Sequence, residues 1–153
     1  MMEISESLRI CTSIEGMTAE IYHALSKLFP EAKDFWYDLA LSEENHTNIL
    51  LAAAGLNRAG ILTECIVPSS LPRIRETLGL VRDSKKKVET GSLLLKDAIE
   101  IALEIENSTG EIYFQEVLTQ QTDSKVVMEL RKMLIDEELH NVKIKSFMKS
   151  RGL

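Results

Sequence analysis

The sequence predicts an all-α fold, a four-helix bundle of two helical hairpins joined by a long crossover. Three observations predict it. The 153-residue chain holds only seven Gly and three Pro, so few residues interrupt a helix. Apolar residues recur three and four apart over long stretches, which is the period of a helix face and not of a strand. The breakers that do occur cluster, and they leave four long segments between them.

The first segment runs from about Ile4 to Phe29, with Leu8, Cys11, Tyr22, Leu25 and Phe29 along one stripe. Pro30 ends it. Proline suits the first turn of a helix, so the second helix starts there and runs to about Asn57, with Trp36, Leu39, Leu50 and Ala53 on one face. From Arg58 to Thr90 the character changes: Gly60, Pro68, Ser69, Ser70, Pro72 and the run Lys85 to Lys87 read as a crossover containing a short helix, the lysines solvated. A third long helix follows from about Ser92 to Thr119, carrying Leu95, Ile99, Ala102 and Tyr113. "TQQTDS" makes a turn with Asp123 or Ser124 as N-cap. The last helix runs to about Lys149 on Val126, Leu130, Met133, Ile144 and Phe147. No stretch reads as a linker between domains, so 1–153 is expected to be one domain of two similar halves.

Composition narrows the function classes. At 44% hydrophobic and 27% charged the chain has the make-up of a globular protein, and a net charge of -6 argues against nucleic acid as a partner. No apolar run approaches the ~20 residues that span a bilayer. The start, "MMEISESLRI", lacks the basic-then-apolar pattern of a signal peptide. Cys11 and Cys65 form no CxxC pair and make a poor disulfide framework. A reduced, cytoplasmic setting is expected.

The chain repeats itself in glutamates and histidines. "EGMTAEIY" (Glu15 to Tyr22) is echoed by "ENSTGEIY" (Glu106 to Tyr113), and "SEENH" (Ser42 to His46) by "DEELH" (Asp136 to His140). Placed on the helices, the seams read Leu8, Cys11, Glu15, Thr18, Tyr22, Leu25; then Trp36, Leu39, Glu43, His46, Leu50, Ala53; then Ile99, Ala102, Glu106, Thr109, Tyr113; then Leu130, Met133, Glu137, His140, Ile144. Each apolar seam is interrupted by a carboxylate, and two also by an imidazole one turn on. At a rise of about 1.5 Å per residue, Glu15 and Glu43 come level across the Pro30 corner, as do Glu106 and Glu137 across the Gln121–Thr122 turn.

Four ionised carboxylates in a low-dielectric core are unfavourable without compensation, and two divalent cations cancel their charge. A Glu from each of two helices and Glu-x-x-His from each of the others is the ligand pattern of di-iron and di-manganese carboxylate bundles of the ferritin-like kind. Glu15, Glu43, His46, Glu106, Glu137 and His140 are therefore the candidate metal ligands. Mixed carboxylate and imidazole ligation suits two iron ions, with manganese or zinc as other occupants. Glu44 and Glu138 face away from the seams and Glu20 and Glu111 lie off them, so these read as surface charges. His23 reads as a boundary histidine and Cys11 as a small buried hydrophobe. Tyr22 and Tyr113 face inward, either as core aromatics or with hydroxyls bonded to ligand carboxylates.

On "EGMTAEIY", "EENH", "ENSTGEIY" and "EELH" the sequence resembles the rubrerythrin branch of the ferritin-like superfamily. The resemblance implies a non-haem di-iron oxidoreductase, homodimeric or larger, that reduces hydrogen peroxide or dioxygen; catalytic residues distinct from the metal ligands are not implied. Full rubrerythrins append a rubredoxin-like domain with two CxxC pairs; this chain shows no CxxC, so a separate electron donor, such as a rubredoxin-like protein, is expected. The family also carries a further ligand Glu one turn beyond the position of Glu106, where this chain has Thr109. An alternative is a ferritin-like protein that binds or oxidises iron for sequestration without sustained turnover. A third is a helical interaction module without redox chemistry.

Overall fold

Long runs of helix formers between few breakers wind the chain into six α-helices among the described residues: α1 (Met2–Leu28), α2 (Lys33–Arg58), α3 (Leu71–Glu89), α4 (Leu95–Tyr113), α5 (Lys125–Leu134) and α6 (Asp136–Ser150). The structure is a computed structural model and describes residues 2–64, 66–68, 70–113, 121–134 and 136–153, of which 2–5, 110–113, 133–134 and 136–138 are described by backbone alone. The expected extension of the third helix to Thr119 and the side chains of Tyr113, Met133, Glu137, Glu111 and Glu138 lie outside what is described.

Local chemistry sets the boundaries. Pro30 opens a single 3-10 turn, Pro30–Ala32, in which the Ala32 amide donates to the Phe29 carbonyl, and α2 starts after it. α2 ends in a Schellman turn. Gly60 takes φ +73°, its amide donates to Asn57 O, and the Ile61 amide donates to Leu56 O. The Asn57 side chain then donates to Leu62 O at 2.9 Å and pins the chain as it leaves the helix. At the start of α5 it is Ser124 that caps: its Oγ accepts from the Val127 amide and its carbonyl from the Met128 amide.

The helices pack as a bundle. α1 lies against α2 and α3, α4 against α6 and α3, and α2 against α5. Leu8, Tyr22, Leu25, Trp36, Leu39, Leu50, Ile99 and Ile144 are fully or almost fully buried, each large apolar side chain contributing about 1.5–3 kcal/mol. Phe35 of α2 stacks on Phe147 of α6, ring centroids 3.9 Å apart and planes within 7°. No described helix is long and apolar enough to cross a membrane.

Two expectations are corrected. The helix in the crossover is not short: α3 has 19 residues and buries Ile74, Thr77, Leu78, Val81, Ser84 and Val88. Its apolar stripe is narrow and interrupted by small hydroxyls, while Arg75, Arg82, Lys86 and Lys87 dominate its exposed side, so the burial pattern was masked by charge. Of the two valines that open α5, Val127 is buried at 1% exposure, whereas Val126 is 39% exposed. Both valines sit at helical spacing from Leu130, four and three residues back, and packing selects the latter.

Candidate metal centre

Four helices of the bundle bring acids and imidazoles to one buried place. α1 supplies Glu15, α2 supplies Glu43 and His46, α4 supplies Glu106, and α6 supplies His140; none is more than 1% exposed. Their flanks explain the burial. Glu15 lies between Cys11 and Thr18 on a stripe that runs from Leu8 to Leu25, and Glu43 and His46 lie between Leu39 and Leu50.

The donor atoms gather into two groups, Glu15 with Glu43 and His46, and Glu43 with Glu106 and His140, each within 4.8 Å. His46 Nδ1 is 3.5 Å from Glu15 Oε2 and 3.4 Å from Glu43 Oε2. His140 Nδ1 is 3.0 Å from Glu43 Oε1 and 3.5 Å from Glu106 Oε1. Glu43 thus belongs to both groups, one oxygen turned to each histidine, and the two imidazole rings lie stacked at 5.6 Å. Two further contacts reach this cluster. The Tyr22 hydroxyl donates to Glu106 Oε1 at 2.5 Å, and Ser42 Oγ lies 2.8 Å from His140 Nε2.

Buried carboxylates without enough donors are costly. Among the described residues Glu15 Oε1 and Glu43 Oε2 have no hydrogen-bond donor. Burial, and then the charge of Glu43, push the Glu15 carboxyl up to about 7. Burial pulls His140 down, but the carboxylates of Glu106 and Glu43 outweigh it and raise it to about 10. The cluster therefore keeps protons that a cation would replace. Its mixture of carboxylate oxygens and imidazole nitrogens suits a divalent metal such as iron, manganese or zinc.

The remaining sequence candidates sort around this cluster. Glu137 and Tyr113 have side chains outside the described residues. Glu44 is solvent-exposed and meets His23 Nε2 at 2.5 Å, and His23 lies edge-on to Tyr37. Glu20 is exposed and pairs with Lys85 at 2.6 Å. Cys11 is buried in the apolar core. Thr109 is buried, and its hydroxyl donates back to Ile105 O at 3.0 Å and Glu106 O at 3.3 Å, as Thr18 does to Ile14 O. Sequence reasoning missed Ser42. It lies one residue off the seam, about 100° around the helix from Glu43, and only its place before "EENH" in the repeat marked it.

Comparison of the chain with known protein families, with curated proteins and with solved structures finds no match.

Proposed function

We propose that the chain is a single ferritin-like four-helix domain that holds two metal ions, iron foremost, and acts as a non-haem di-iron oxidoreductase of rubrerythrin type. Hydrogen peroxide is its substrate, reduced with two electrons and two protons to two waters, or dioxygen in its place. The observation that carries this reading is Glu43, a wholly buried carboxylate whose two oxygens face two different histidines.

Glu15, Glu43 and His46 would hold one cation and Glu43, Glu106 and His140 the other, with Glu137 added to the set by the sequence pattern. Iron held there would supply the two electrons of the reduction, one per metal. The chain does the rest. The carboxylates neutralise the cations, the apolar seams around them exclude bulk water, and Tyr22 fixes Glu106 through its hydroxyl proton. Electrons come from a separate donor protein, and the protein works as a homodimer or larger homo-oligomer in a reduced cytoplasmic setting.

The test is an anaerobic Fe(II) titration followed by stopped-flow mixing with hydrogen peroxide. Two irons per chain and oxidation far faster than in Glu43→Ala are expected; equal rates overturn the reading.

Thr109 favours a second reading, iron binding or ferroxidase chemistry for sequestration. It stands where the resembling family has a further carboxylate, and its hydroxyl is committed to its own helix. A large hollow assembly on size-exclusion chromatography, taking up many irons per chain, would replace the first reading by this one.

A further inference from the structure

Ser42 precedes Glu43 on α2, and its Oγ lies 2.8 Å from Nε2 of His140 across the bundle on α6. The other ring nitrogen, Nδ1, faces Glu43 Oε1 at 3.0 Å and Glu106 Oε1 at 3.5 Å. The ring is fully buried, so neither nitrogen has bulk water as an alternative partner.

A neutral imidazole carries one proton, on one nitrogen or the other. A cation held by Glu43, Glu106 and His140 would take the lone pair of Nδ1, because that is the nitrogen beside the carboxylates. The ring proton then resides on Nε2, where Ser42 Oγ is the acceptor. We propose that Ser42 is the positioning residue of this half of the centre: its hydroxyl holds the Nε2 proton of His140 and so fixes both the tautomer and the aim of Nδ1. The inference rests on the metal-binding reading above. Ser42 touches neither cation nor substrate and acts through the ring. The other motif differs in sequence at the equivalent place, where Asp136 precedes Glu137.

The experiment uses zinc, a redox-silent probe, on the full chain in competition with a chromogenic chelator. Wild type is expected to bind two zincs. Ser42→Ala should weaken one of the two by about 10–100-fold and leave the other unchanged. Ser42→Thr, which keeps the hydroxyl, should restore it, and Ser42→Ala should add nothing in a His140→Ala background. In the zinc-loaded, 15N-labelled protein the His140 proton should sit on Nε2 and exchange slowly with solvent, and faster in Ser42→Ala. Two zincs in wild type with both affinities unchanged in Ser42→Ala, or both weakened alike, or a His140 proton found on Nδ1, would overturn the role of Ser42 alone. A wild-type chain that binds no zinc would overturn the metal reading and this inference with it.

Discussion

Tyr22 of α1 donates its hydroxyl to Glu106 of α4 at 2.5 Å, so a fully buried hydrogen bond joins the first copy of the repeated motif to the second. The acceptor is a carboxylate that is only 1% exposed, so bulk water does not reach it. Hydrogen bonds to charged groups in such places contribute about 1.5–3 kcal/mol. Tyr22→Phe keeps the ring packed 5.9 Å from Trp36 and removes only the hydroxyl. Chemical denaturation of the variant should show a loss of about 2 kcal/mol; an unchanged midpoint would mean that Glu106 finds another donor.

Glu43 serves both groups, whereas Glu15 serves one. Elemental analysis after anaerobic loading should therefore find about two metals per chain in wild type. Glu15→Ala should lower that by one, and Glu43→Ala should remove both. A Glu43→Ala chain that keeps a full complement would show that the carboxylate is not shared.

The metal-free protein should lose stability as pH rises. Glu15 has its folded value near 7 against an ordinary 4.5, so between these the folded state holds a proton that the unfolded chain has released. Its contribution is intact below 4.5 and gone above about 7, a difference on the order of 3 kcal/mol. His140 acts in the same direction: the stability it adds is full below 6.5 and lost as pH climbs through about 10. Glu15→Gln, which cannot ionise, should be more stable than wild type at pH 8 and nearly equal to it at pH 4. Denaturant midpoints of the two proteins at both pH values check the sign. Cation loading should reverse the trend, with a gain that grows with pH because fewer protons remain to be displaced.

The phase of α5 can be tested with two neighbouring valines. Val127 is buried and Val126 is 39% exposed. Val127→Ala removes two buried methyl groups and should cost about 2 kcal/mol, whereas Val126→Ala should stay within about 0.5 kcal/mol. Equal costs would mean that the helix is rotated from the observed packing.

The long helices and the inward acids were legible because helical spacing alone puts Glu15, Glu43, His46, Glu106 and His140 on apolar stripes. What the spacing could not say is which side chain meets which across the bundle. Tyr22 could have turned to any of several carboxylates, and Ser42 sits on a face that the periodicity assigns to neither core nor solvent. The sharing of Glu43 between two histidines is likewise a property of the assembled helices. Val126 and Val127 show the same limit at smaller scale, since three- and four-residue steps are both helical and only a packed neighbour decides between them. α3 was underestimated because a narrow buried stripe carried by a strongly charged helix leaves little apolar signal.

The two donor groups differ in how much chain they span. Glu15, Glu43 and His46 all belong to α1 and α2, helices joined by one tight corner, whereas the group of Glu43, Glu106 and His140 draws on α2, α4 and α6. Short loops close at less entropic cost than long ones, and contacts local in sequence form early. With a cation bound, the first group would clasp α1 to α2 alone. The second group needs α4 and α6 beside α2, so it is complete only in the finished tertiary structure.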